Sequence, residues 1–147
     1  MIETLQVPLL LVASKGADPG RVASVAAATG AKIAEGAPDG ALALRLDEGG
    51  LSLERDGMVL RGDFADMLPR LKQANLSREL LVRAAKIKGA VSPTAVDATA
   101  GMGQDSLLLA AAGFTVTMFE SDPVIAALLQ DALDRAATDP RLEGLVA

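Results

Sequence analysis

The run Asp97 to Asp105, DATAGMGQD, constrains this chain more than any other, because it places two glycines between a short apolar stretch and an apolar helical pattern. Around it the expected elements are a strand over 94–97, a helix over 104–112, a strand over 115–119 and a helix over 123–137. That order, β-α-β-α, begins an open parallel sheet with right-handed crossovers, so the fold class is α/β. In such sheets ligands sit outside the carboxyl ends of the strands, and the glycine loop lies there.

Gly101 and Gly103 allow close backbone approach to a ligand, and a helix starting near Gln104 aims its free N–H groups at the same crevice. Glu120 ends the next strand, 17 residues after Gly103, where a carboxylate can accept hydrogen bonds from a ribose diol and would repel a 2′-phosphate. Ser121 or Asp122 then caps the following helix, with Pro123 in its first turn. A dinucleotide fingerprint needs a third glycine where this chain has Ser106, which argues against a pyrophosphate ligand. Asp97 and Asp105 would also repel a diphosphate but suit a ligand with ammonium and sulfonium centres, as in S-adenosylmethionine. Ordinary structural roles stay open at this stage: a glycine pair also makes a tight packed turn, Asp97 can satisfy its own turn, and Asp105 can complement a helix dipole.

With no Cys and no His, the chain excludes disulfides, structural zinc, a His general base and a Cys nucleophile; no metal site is expected. Methyl transfer asks little of such groups, because a sulfonium leaving group is already activated and orientation supplies most of the rate. The 147 residues suit one ordinary domain or one and a half small ones, and half of them are apolar, enough for a packed core. Three Phe and no Trp or Tyr leave few platforms for stacking bases. The apolar run Val7 to Ala13 falls far short of a bilayer span and Met1-Ile2-Glu3 lacks a basic leader, so a cytoplasmic protein without membrane partners is expected.

Three regions follow from the rhythm of the chain. Residues 1–62 read as a small α/β subdomain: a strand from about Leu5 to Ala13, a helix from Pro19 to Thr29 capped by Asp18, then a meander over 41–46, 51–55 and 58–61. Its Asp56-Gly57 is a two-residue hairpin signal. Residues 63–92 are helical and basic, with Phe64, Met67, Leu68 and Leu71 on one face and a second helix expected from a cap at Ser77 to about Ile87. Between Arg70 and Lys88 stand Arg70, Lys72, Arg78, Arg83, Lys86 and Lys88 against Glu79 alone, although the chain carries a net charge of −5. This run is either a solvated helix face or a face that meets substrate phosphate. Residues 93–147 hold the glycine loop.

At the loop and on either side of it the sequence resembles the RsmJ (YhiQ-like) methyltransferases of small-subunit ribosomal RNA. The similar segments are Leu80 to Gly89 (LLVRAAKIKG), Val96 to Asp105 (VDATAGMGQD) and Val116 to Leu129 (VTMFESDPVIAALL), with a weaker one at Leu42 to Leu53. The resemblance implies a class I, Rossmann-like methyltransferase sheet and an S-adenosylmethionine cofactor. It also implies that Gln104 with Asp105 and Glu120 with Ser121 contact that cofactor, with Gly101 and Gly103 as backbone contacts. Gln104 departs from the family, whose members often carry Arg there. The implied reaction is methylation of the exocyclic amine of a guanine in ribosomal RNA, and ribosomal RNA is the implied partner.

Members of that family continue with a D-P-[MP]-[FY]-P segment that holds the target amine, and this chain has no such segment. The expectation is therefore a truncated chain carrying the first part of the sheet, its catalytic residues among those absent and its activity lost. Two strands alone would also leave an open apolar edge, for which self-association or pairing with the N-terminal strands is expected. The alternative to an enzyme is a non-catalytic nucleoside-binding or interaction module whose glycine loop is structural.

Overall fold

A computed structural model describes residues 7–146, which divide into two compact units on either side of the Gly62–Asp63 bond. In the first unit β1 (Leu10–Ala13) is followed by α1 (Pro19–Thr29), β2 (Lys32–Ala34), β3 (Ala43–Asp47), β4 (Gly50–Arg55) and β5 (Met58–Leu60). The sheet order is β2-β1-β3-β4-β5, with β1 parallel to both neighbours and β3 to β5 an antiparallel meander. Leu11, Leu44 and Leu51 are buried in its core. Each is worth roughly 1.5–3 kcal/mol of burial.

Local signals set most of this unit. The Asp18 carboxylate accepts the Arg21 backbone N–H at 2.7 Å and Pro19 opens the helix, as expected. Asp56 and Gly57 both have positive φ, 49° and 80°, the geometry of the hairpin turn that their dipeptide signals. The first strand is shorter than expected: it begins at Leu10, two residues after Pro8, which has no N–H to give to a ladder. Leu5, part of that expectation, lies outside the described residues. β2 was not anticipated, for its three residues are too few to show an alternation.

The second unit opens with a 3₁₀ turn (Phe64–Met67), capped by the Asp63 side chain, which accepts the Ala65 N–H at 2.9 Å. Three short helices follow, α2 (Leu68–Leu71), α3 (Gln73–Leu76) and α4 (Leu80–Ala85). Ser77 does not cap a helix running to Ile87. It closes α3 instead, its hydroxyl donating to the Ala74 carbonyl. α4 begins after Glu79, whose carboxylate takes two hydrogen bonds from the Arg70 guanidinium at 2.8 and 2.9 Å. A bidentate, charge-assisted pair outweighs a cap, so Glu79 reaches back to α2 rather than to the N–H groups of its own helix.

Then come β6 (Thr94–Asp97), α5 (Gln104–Ala111), β7 (Thr115–Met118), α6 (Pro123–Ala136) and α7 (Glu143–Val146), the last not anticipated. β6 and β7 are parallel, with Asp97 opposite Met118, and the described residues add no third strand to this sheet. The expected extension by N-terminal strands is thus not formed among them, because β1 to β5 complete a sheet of their own. Phe64, Met67, Leu76, Leu107, Leu108 and Leu129 form one buried cluster in which α5, α6 and the short helices meet. The second unit has the parallel β-α-β-α arrangement of a Rossmann-like sheet, and a small α/β unit precedes it in the chain.

Candidate cofactor site

The candidate site is built where β6 and β7 end side by side. Beyond the last paired residues the Phe119 N–H donates to the Asp97 carbonyl at 2.8 Å, and the Ala100 N–H to the Phe119 carbonyl at 2.9 Å. The glycine loop is thereby held against the chain leaving β7. Gly101 and Gly103 both adopt left-handed backbone, with φ 54° and 74°, and α5 starts directly after Gly103. The N–H of Leu107 reaches the Gly103 carbonyl, so those of Gln104, Asp105 and Ser106 have no partner within the helix.

The two glycines serve different ends. A Cβ on Gly101 would meet nothing nearer than the Thr99 carbonyl oxygen at 4.0 Å, so this residue leaves open space above the loop. A Cβ on Gly103 would lie 2.7 Å from Leu129 Cδ1 and 3.0 Å from Phe64 Cζ. Gly103 is buried, and its missing side chain is what admits Phe64 and Leu129 beneath the turn.

Glu120 is the tie between loop and strand. One carboxylate oxygen accepts the Gly101 N–H at 2.8 Å across 19 residues, and the other accepts the Asp122 N–H at 2.8 Å. The backbone N–H groups of Asp122, Gly101 and Ser121, in that order of effect, hold its carboxyl below the usual carboxylate range despite partial desolvation. A carboxylate has about four acceptor directions, so each oxygen keeps one for a further donor. Asp122 caps α6 by accepting the N–H groups of Val124 and Ile125 at 2.8 and 3.0 Å, which leaves Ser121 exposed on the turn between carboxylate and helix.

Asp97 accepts the Thr99 N–H at 3.2 Å and the Ser106 hydroxyl at 2.7 Å. Ser106, read from the sequence only as a missing glycine, is buried and locks the first turn of α5 to the end of β6. Its place directly before the apolar run Leu107 to Leu109 was its signal. Asp97, Gly101 and Glu120 lie together at the ends of β6 and β7, with Ser121 exposed next in the chain; Gln104 and Asp105 are exposed on the first turn of α5, and Gly103 turns its Cα toward the core. Asp105 lies near enough to Arg70 to contribute to that guanidinium's raised pKa, after the Glu79 hydrogen bond and the Glu79 charge. Among the described residues no group of three or more Asp or Glu could hold a metal ion, and no helix is long and apolar enough to cross a membrane.

Fold and site together define a Rossmann-like domain whose glycine loop and strand-end carboxylates lie side by side at the carboxyl ends of β6 and β7. Residues 25–147 match the model of a family described as "Putative SAM-dependent methyltransferase". The ribosomal RNA small subunit methyltransferase J of Acinetobacter baylyi is 46% identical over 101 residues, covering 69% of this chain and 37% of that protein. The protein of the same name from Citrobacter koseri is 39% identical over 140 residues, 91% of this chain and 54% of that one. The crystal structure of a SAM-dependent methyltransferase from Neisseria gonorrhoeae superposes with a TM-score of 0.72 at 26% identity, covering 92% of this chain and 56% of that one. The chain belongs to this family of SAM-dependent methyltransferases, and its similarity within it is to the RsmJ proteins. It spans about half or less of the length of those relatives.

Proposed function

We propose that the crevice holds S-adenosylmethionine and serves methyl transfer to the exocyclic amine of a guanine in small-subunit ribosomal RNA. The single observation that carries the cofactor assignment is Glu120: an ionised carboxylate, fixed by two backbone N–H groups, with one acceptor direction free on each oxygen for the two ribose hydroxyls. The open side of Gly101 fits a flat nucleoside passing close to the backbone. Asp97 and the exposed Asp105 put negative charge beside a cationic amino acid portion. In this reading Ser121 and Gln104 flank the nucleoside, while Gly103 acts through the shape of the loop.

The cofactor, when bound, supplies an activated methyl group on sulfonium. The chain's own residues orient: Glu120 fixes the ribose, the start of α5 presents its free N–H groups to the ligand, and Ser106 holds Asp97 at the strand end. The substrate assignment rests on the relatives' names. In the same reading 93–147 is the cofactor region and 63–92 stands on the substrate side. The exposure of Val96 (70%) and Phe119 (58%) on the two-stranded sheet supports association of copies through that region. Light scattering that finds only monomer at every concentration would remove that part.

Isothermal titration with S-adenosylhomocysteine tests the cofactor site. Binding by the chain, weakened at least tenfold in Glu120→Ala, is expected; undiminished affinity in the variant would end the assignment of Glu120. For the substrate, ribosomal RNA methylated with a labelled donor should yield N2-methylguanosine after digestion, and label on any other base would refute it.

A further inference from the structure

We infer that the far end of α5 carries a second contact site for the substrate, in which Arg83 and Lys86 bind phosphate and Phe114 stacks a base of a single-stranded RNA segment. This deepens the RNA reading above and rests on it. Arg83, on α4, and Lys86, just past its end, line one side of a depression of about 420 Å³, and Phe114, between α5 and β7, lines another together with Leu76, Val82 and Ile87. The lining joins apolar side chains, among them the buried Leu76, to the two exposed cations, a combination that base faces with an attached phosphate would fill.

Charge singles out the occupant. The lone acid between Arg70 and Lys88, Glu79, is held by two hydrogen bonds from Arg70, and this pair accounts for one cation. Lys72, Arg78, Arg83, Lys86 and Lys88 are exposed and form no ion pair with any described residue. The last helical turn of α5 beside them, ending at Ala111, brings no acid into the depression. An uncompensated cationic group on a chain of net charge −5 is a local feature, suited to a polyanion rather than to an acidic or apolar surface in general. Phe114, one of three aromatic residues in the chain, is half-buried in the depression.

The position also fits. α5 separates the glycine loop from Phe114 by its eight residues, about 12 Å at 1.5 Å per residue. A stacked strand covers that distance in roughly three to four nucleotides at ~3.4 Å each. The site would therefore hold a nucleotide flanking the target, leaving the reacting base to the carboxyl ends of the strands.

The test is fluorescence anisotropy of a labelled single-stranded RNA oligonucleotide with this chain across a salt series, with S-adenosylhomocysteine titration run on every variant. Replacing both cations, Arg83→Gln with Lys86→Gln, should lower affinity about tenfold and reduce the slope of log affinity against log salt by about 1.4, at ~0.7 per phosphate contact. A charge-matched control, Lys15→Gln with Lys32→Gln in the first unit, should leave the slope unchanged. Phe114→Leu should weaken binding roughly fivefold or more with the slope intact, because stacking releases no counterions. Wild-type slope and affinity in the Arg83/Lys86 variant, or no RNA binding by a chain that still binds S-adenosylhomocysteine, overturns the inference. Loss of cofactor binding with an RNA slope that still depends on Arg83 and Lys86 would instead sink the cofactor reading and leave this site standing.

Discussion

Replacing Gly103 by alanine tests the division of labour between the two loop glycines. The new Cβ would meet Leu129 Cδ1 at 2.7 Å and Phe64 Cζ at 3.0 Å, and the backbone there has a φ of 74°. Left-handed backbone costs a non-glycine residue about 1–2 kcal/mol. Forcing a methyl group into a packed site adds about 1–3 kcal/mol, so the expected loss is roughly 2–5 kcal/mol. Gly101→Ala carries only the backbone cost, about 1–2 kcal/mol, because its Cβ points to open space. Urea denaturation followed by circular dichroism reads both: with a slope of about 1.5 kcal/mol per molar, Gly103→Ala should lower the midpoint by roughly 1.3–3.3 M and Gly101→Ala by roughly 0.7–1.3 M. Adding Phe64→Leu makes room, so the double variant should be less destabilised than the two single losses summed. Equal midpoints for the two alanine variants, or strict additivity with Phe64→Leu, would refute the packing argument. The Gly101 variant should in turn lose more S-adenosylhomocysteine affinity than its stability loss accounts for.

Ser106→Ala removes a buried donor from a carboxylate, and a loss of about 1–2 kcal/mol in the same denaturation assay is expected; no loss would mean Asp97 is satisfied without it. Glu120 is held below the usual carboxylate range, so its contribution to stability is complete above the pKa it has in the unfolded chain and disappears as pH falls through its lower folded value. Thermal melting from about pH 6 down to about pH 3 should show this loss in the native chain and a smaller one in Glu120→Gln; identical profiles would contradict the hydrogen-bond account. The Arg141 guanidinium beside Asp139 lowers that carboxyl to about 2. Arg141→Ala should raise its titration, followed by NMR, while the retained backbone N–H of residue 141 keeps it below the ordinary carboxylate range, and an unmoved titration would assign the shift elsewhere.

Where a feature depends on near neighbours in the chain, it was legible without coordinates. The helix Pro19–Thr29 forms over the residues that Asp18 and Pro19 delimit, and Asp56-Gly57 makes its hairpin. The elements on either side of the glycine loop fall within a residue of expectation, since strand and helix periods there are clean and bounded by Gly or Pro. Glu120 could be singled out because a strand end after a glycine loop is a fixed place in this topology.

Where two side chains had to meet across the fold, only the tertiary structure decided. Glu79 pairs with Arg70 rather than capping α4, and this moved the helix start from Ser77 to Leu80. Ser106 took the place of a third glycine by binding Asp97, nine residues back. Phe64 and Leu129 stand where a Cβ on Gly103 would be, so the core side of the loop is what requires a glycine there. The sequence by itself determined that a glycine loop would turn between strand and helix, because backbone sterics and hydrogen-bond periods are local. Which glycine faces the crevice and which faces the core depended on residues 39 positions before and 26 after it, brought together by burial of apolar surface, a force that carries no address in the sequence.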